Sequence, residues 1–270
     1  MFYKTKKKKY PDPGPKMCHP RVGKVRPKNG CFPDDVLERL TGTRKRKLAL
    51  KKFDCPEGSE TCLIDKSTLA REEKEKIEKM YLRPRKPAAW FKKRDTWLDN
   101  YNIRDVMNQY EEVYKDFKFI DPVPIDFSMK NEANGKCISN DMCQIDLNKL
   151  KSEGITKLGI IYNLDKSTGG GSHWMANYID LAKHNAYFFD SYGLKPHENI
   201  QYFMRYLKTM DPLMKLHYSG RRFQFKGSEC GMYSLYFIVM MMRGMNFRKF
   251  VRMEIPDDIM LEYRDWMFSS

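Results

Sequence analysis

Residues 227–242 read "GSECGMYSLYFIVMMM". From Cys230 to Met242 the stretch carries no charged side chain, and a helix built from it would be apolar on every side. A surface helix needs a polar face, so this one is expected at the centre of a layered α/β arrangement. Ser228 is the expected N-cap and Gly244 the expected C-terminal stop. Cys230 then opens a buried helix, where free N–H groups and the helix dipole favour the thiolate form. A buried free cysteine is more often a small hydrophobe than a reactive group, so position alone does not assign it chemistry.

The segments around this helix set the rest of the fold. "KFIDPVPIDF" (118–127), "KLGIIYNLD" (157–165), "HWMANYIDL" (173–181) and "NAYFFDSYG" (185–193) are strand-length runs rich in β-branched and aromatic residues. "NIQYFMRYLKTM" (199–210) and "PDDIMLEYRDWMF" (256–268) read as helices, and "KLHYSGRRFQ" (215–224) as a strand. Upstream, "FPDDVLERL" (32–40), "KSTLAREEKEKIEKMYL" (66–82) and "DTWLDNYNIRDVMNQYEEVYKDF" (95–117) have helical spacing, with "RKRKLALKKFDCPEGSETCLID" (44–65) as linker. The expectation is an α+β chain: a basic, partly disordered and helical extension over residues 1–90, then a mixed sheet packed on a central helix over 91–270.

A nucleophilic thiol needs a base and a group to orient that base. His173 opens one predicted strand after the flexible loop Gly169–Ser172, and Asp190 closes the next. A hairpin turn at "AKHNA" would run the strands antiparallel and bring both side chains to one edge of the sheet. Asp190 would then fix the imidazole tautomer while the other ring nitrogen faces Cys230. Gln224 can supply a side-chain N–H beside the Cys230 backbone N–H, making an oxyanion hole. Gly227 and Gly231 permit a tight backbone turn around the thiol.

With these residues in hand, "HW" opening a strand, "FFDSYG" after it and "QFKGSECGMYSLYF" later resemble the cysteine peptidases of the adenain and SUMO-protease type (C48-like). The texture of "TGGGSHW" and "SECGMYSLYFI" is most similar to the polyprotein-processing proteases of large DNA viruses, of the African swine fever virus and poxvirus kind. "WLDNYNIRDVMNQYE" resembles the opening of their catalytic domains. The resemblance implies a papain-like or adenain-like core, with catalytic His173, Asp190 and Cys230, and Gln224 in the oxyanion hole. It also implies a cleft by Trp174 and Gly227 that admits Gly-Gly or similarly small residues, and structural or core polyproteins as substrates during virion maturation. The first 90 residues match no part of the family pattern.

Composition restricts the alternatives. The formal charge is +15, and residues 1–52 account for most of it, with 17 Lys and Arg against 4 Asp and Glu. "KTKKKKYPDPGPK" is too polar to order itself and reads as a flexible head, either a solubilising or targeting tail or a tether that binds nucleic acid non-specifically through phosphates. No apolar run approaches the roughly 18 residues of a membrane span. Seven cysteines without framework spacing read as unpaired in a reducing compartment, virion or host cytoplasm. Cys18, His19, Cys31, Cys55 and Cys62 lack metal-site spacing, and "TGGGS" lacks the Lys-Ser/Thr of a phosphate loop. No metal or cofactor is therefore expected, and His184, His197 and His217 are expected to stand outside the chemistry. Three rivals stay open: deconjugation of a ubiquitin-like modifier, acyl transfer by the same residues, and a nucleic-acid-binding structural protein.

Overall fold

The apolar run forms a helix that begins at Cys230 itself, and every one of its residues is buried. The computed structural model describes residues 10–23, 30–131 and 134–270. In chain order the elements are α1 (Asp34–Thr41), α2 (Arg46–Lys52), α3 (Glu60–Lys66), α4 (Arg71–Tyr81) and α5 (Asn100–Val113). Then come β1 (Phe117–Pro124), α6 (Asn140–Cys143), α7 (Leu147–Ser152), β2 (Lys157–Asn163), β3 (Trp174–Asp180) and β4 (Asn185–Phe189). The chain continues with α8 (Glu198–Met210), β5 (Lys215–Tyr218), α9 (Cys230–Met242), α10 (Phe247–Arg252) and α11 (Asp257–Met267). Among the described residues no helix is long and apolar enough to cross a membrane.

The five strands form one sheet in the order β1-β2-β3-β4-β5. The outer pairs β1–β2 and β4–β5 are parallel, and the inner pairs β2–β3 and β3–β4 antiparallel, so the sheet is mixed. All seven residues of β3 are buried, because both of its faces are covered. On one face α9 packs against β3 and β2, with α5, α10 and α11 around it. On the other, Phe203, Met204 and Leu207 of α8 meet Ile160, Ile179 and Phe188 of the sheet. Gly159 of β2 is required by this packing, since a Cβ there would stand 2.9 Å from the Phe117 ring and 3.0 Å from Ile238.

The N-terminal third departs from expectation in two places. The stretch read as linker holds α2 and α3, which bury Ala49, Leu50, Leu63 and Ile64 in a separate small core with Leu37, Leu40 and Ile77. The head read as flexible is ordered in its second half, "YPDPGP" (10–15), whereas residues 1–9 lie outside the described residues. Prolines 11, 13 and 15 remove backbone donors and favour an extended chain whose carbonyls point outward. Tyr236 and Tyr263 both donate to the Pro11 carbonyl (2.6 and 2.9 Å), Arg243 donates to that of Asp12 (2.6 Å), and Tyr110 to that of Pro13. This strap joins α5, α9 and α11. Several basic residues that follow have partners: Arg39 with Glu73, Arg44 with Glu38, and Arg46 with Glu60.

The reading of the cysteines as unpaired is also corrected. Cys18–Cys31, Cys55–Cys62 and Cys137–Cys143 are disulfide-bonded, and Cys230 is the one free thiol of the seven. The partners lie 13, 7 and 6 residues apart and are brought together by local turns that spacing does not reveal. Cys18, Cys31, Cys55 and Cys62 are therefore committed to each other rather than to a metal.

Removing residues 1–16 should lower the thermal midpoint by about 10 °C, since several buried hydrogen bonds of ~1 kcal/mol each are lost at ~2–4 °C per kcal/mol. Circular dichroism melts of the full and shortened chains measure this, and equal midpoints would mean that the strap holds nothing.

Candidate active site

The β3–β4 hairpin places the first two residues. Ala176 lies opposite Phe189 and Asp180 opposite Asn185, with His184 at φ 53° in the turn between. The residue before β3 and the residue after β4 therefore finish at the same end of the sheet, as expected from the sequence. His173 Nε2 lies 2.8 Å from Asp190 Oδ1, and both side chains are buried. The Tyr192 N–H donates to the same oxygen at 2.7 Å, which fixes the carboxylate. With Nε2 occupied by Asp190, Nδ1 is the ring nitrogen left to serve Cys230. Burial alone would lower the His173 pKa, but the hydrogen bonds to Asp190 and Cys230 and the charge on both outweigh it, raising the pKa to about 9. At neutral pH the ring is an imidazolium.

Cys230 is held by what its neighbour lacks. A Cβ on Gly231 would stand 2.9 Å from Leu98 Cδ1 and 3.2 Å from Trp174 Cδ1, so only glycine lets the start of α9 press against both. The Trp174 indole N–H donates to the Leu98 carbonyl at 3.0 Å, and the ring is 4% exposed. Expected at the cleft, Trp174 instead supports the site from behind. Trp97, the residue before Leu98, is 47% exposed and shares a groove of about 490 Å³ with Gly227, Ser228 and Leu261. The sequence reading passed over it. Its signal was the "WL" pair on the approach to α5, in which Leu98 turns into the core and Trp97 turns out. Gly227 is exposed, with open space where a side chain would be.

Gln224 is fully buried, and its amide orientation is fixed. Ser191 Oγ donates to Gln224 Oε1 at 2.7 Å, and Gln224 Nε2 donates to the Lys226 carbonyl at 2.7 Å and, more loosely, to the Tyr192 hydroxyl at 3.4 Å. The turn from Gln224 to Cys230 is gripped by α11. Asp257 Oδ2 accepts from the N–H groups of Phe225 and Lys226 at 2.9 and 3.0 Å. Two helical turns further along, on the same face of α11, Arg264 makes a bidentate pair with Glu229 (3.0 and 3.0 Å). Arg264 also donates to the Thr96 carbonyl and lies over the Trp90 ring at 4.4 Å. None of these α11 contacts was foreseen.

The N-cap is corrected as well. Glu229 occupies that position, Ser228 makes no cap, and no side chain accepts from the first N–H groups of α9. The expected loop at Gly169–Ser172 is tied down rather than free: Asp165 accepts from the Gly171 N–H at 3.0 Å and from the Ser172 hydroxyl. His184, His197 and His217 stand away from this centre, bonded to Asp211, to the Asn199 N–H and to Asn185 respectively. Among the described residues no group of three or more His, Cys, Asp or Glu could hold a metal ion.

An imidazolium between a carboxylate and a thiol, at an uncapped helix N-terminus beside a fixed side-chain amide, is suited to acyl transfer. Known proteins agree with that chemistry. Over 165 residues the chain is 34% identical to R355 of Acanthamoeba polyphaga mimivirus, named for a thiol protease, with 57% of this chain aligned and about half (51%) of that protein spanned. Over 258 residues it is 24% identical to the cysteine protease S273R of African swine fever virus, covering 89% of this chain and 92% of that one. Its fold matches the crystal structure of the African swine fever virus pS273R protease with a TM-score of 0.70, over 95% of this chain and 96% of that one at 21% identity. The C-terminal catalytic domain of the Ulp1 protease family matches residues 107–269, the stretch that contains His173, Asp190, Gln224 and Cys230, and the chain belongs to this family of cysteine peptidases.

Proposed function

We propose that the chain is a viral-type cysteine endopeptidase that cuts structural polyproteins after Gly-Gly or similarly small residues during virion maturation. The observation that carries the reading is the His173 ring, bonded to Asp190 and raised in pKa by that carboxylate and by Cys230, which stands at the uncapped start of a buried helix. The Cys230 thiolate attacks the scissile carbonyl, forming a C–S bond as the carbonyl electron pair moves to oxygen. Gln224 Nε2 and the Cys230 N–H stabilise that oxyanion. On collapse the C–N bond breaks and His173 gives its proton to the leaving amine. Water, activated by the now neutral His173, then hydrolyses the thioester and restores the thiol.

The preference for small residues is supported by the open space at Gly227, whose exposed backbone shares a groove with Trp97. The viral-type reading is supported by the near full-length likeness to the African swine fever virus cysteine protease, which includes the N-terminal third. Deconjugation of a ubiquitin-like modifier is the second reading, because S273R of another isolate carries the name SUMO-1 cysteine protease. Polyprotein segments containing Gly-Gly and intact modifier conjugates, offered side by side, separate the two. Cleavage of conjugates alone would sink the polyprotein reading.

Cys230→Ala should abolish cleavage and leave the melting midpoint within about 2 °C, whereas residual cleavage would exclude Cys230 as nucleophile. Gln224→Ala should lower kcat by roughly 10²–10³-fold with KM little changed; a loss confined to KM would remove Gln224 from the oxyanion hole. Since the leaving amine needs the imidazolium, kcat/KM should fall as pH rises through about 9, the pKa to which His173 is raised. Asp190→Asn removes a charge that raises this pKa, so the alkaline limb should move to lower pH and activity should fall by about 10²-fold or more. A limb that stays in place would show that Asp190 does not govern His173.

A further inference from the structure

Two residues beyond Asp190, Tyr192 is built into the site without having been assigned anything in it. Gly193, at φ +74°, reverses the chain where a Cβ would stand 2.7 Å from the Arg221 backbone, and this turn lays the Tyr192 ring over His173. The rings stack with centroids 4.6 Å apart and planes 25° from parallel. Arg222 lies over the Tyr192 ring at 5.5 Å and is anchored by donating to the Gln224 carbonyl at 2.8 Å. The tyrosine thus packs against both His173 and Arg222, with its hydroxyl end at Gln224.

That hydroxyl accepts from Gln224 Nε2 at 3.4 Å, a long contact, while the amide's other hydrogen is committed to the Lys226 carbonyl at 2.7 Å. The hydrogen of Gln224 that serves an oxyanion is therefore the one now aimed at Tyr192. Among the described residues, the phenolic proton itself has no protein acceptor. Burial and the charge on Cys230 raise the Tyr192 pKa, so the hydroxyl keeps its proton and remains a donor over the working range of the enzyme. Two donor atoms 3.4 Å apart can both reach a single oxygen lying about 2.7–2.9 Å from each.

We propose that the Tyr192 hydroxyl is a third donor to the oxyanion, alongside Gln224 Nε2 and the Cys230 N–H. The proposal rests on the peptidase reading above. As the thiolate forms its bond to the carbonyl carbon, the electron pair displaced onto oxygen draws in the hydrogens of Gln224 and Tyr192, which turn from each other to the new anion. Collapse returns the pair to the carbonyl, expels the leaving group and restores the Gln224–Tyr192 contact. No proton leaves Tyr192 at any point.

Tyr192→Phe keeps the stack on His173 and removes only the hydroxyl. Acylation of Cys230 by p-nitrophenyl acetate passes through a tetrahedral oxyanion, whereas alkylation by iodoacetamide does not. In the full-length chain, Tyr192→Phe should slow p-nitrophenol release by about tenfold or more and leave the iodoacetamide rate within about twofold, both corrected for the Cys230→Ala background. Unchanged acylation would overturn the proposal, as would equal losses in both reactions, which would mean that Tyr192 tunes the thiolate instead. A wild-type Cys230 that is alkylated but never acylated would remove the peptidase reading and this proposal with it.

Discussion

A helix that is apolar on all sides must be covered on all sides, and that demand organises this molecule. α9 buries thirteen consecutive residues against β2, β3, α5, α10 and α11, and the N-terminal strap reaches the hydroxyl of Tyr236 at its middle and Arg243 at its far end. Each large apolar side chain so buried contributes roughly 1.5–3 kcal/mol. The first N–H groups of the same helix have no partner inside it and are costly to bury unpaired. The N-terminus at Cys230 must therefore meet something polar. Here the turn carrying Gln224 leads into it and the Cys230 thiol stands on it, so the place of the candidate site follows from the packing of the core.

What holds that end in place is the grip of α11 on the preceding turn. Asp257 holds the two N–H groups after Gln224, and Arg264 holds Glu229, the residue before Cys230. A buried ion pair is weak evidence for net stability, since desolvation offsets most of the attraction. Its contribution here is geometric. A displacement of ~1 Å in a reacting group can cost about 10²-fold in rate, and these two clamps fix both ends of a short segment that has no regular structure of its own.

The sequence made His173, Asp190 and Cys230 legible because each sits at the boundary of an element with a strong period, where topology alone brings the groups together; Gln224, in the loop between β5 and α9, was legible only from its place shortly before Cys230. The residues that support them were not legible. Ser191, Tyr192, Asp257, Arg264 and Trp97 act through contacts between segments 32 to 168 residues apart, and no local pattern announces such contacts. α2 and α3 were taken for linker because each is seven residues long and buries only a few side chains, too short a stretch to display a 3.6-residue period. The cap at Ser228 failed for a chemical reason: Arg264 draws the neighbouring Glu229 into its ion pair and shifts the helix start to Cys230. The ordered strap was hidden by its composition, since proline and charge look alike whether a segment is free or gripped from outside by tyrosine hydroxyls.

The strap also bears on when the molecule can be completed. Pro11 and Asp12 bond to Tyr236, Arg243 and Tyr263, partners more than 220 residues later in the chain. During synthesis the strap leaves the ribosome well before α9 and α11, so the segment that closes over α9 waits unpaired until they follow. Contacts of such sequence separation form late, and the loop-closure entropy they require falls due before they return any stabilisation. Burial of α9 is accordingly completed only once α11 has emerged, and the Cys230 site is assembled no earlier.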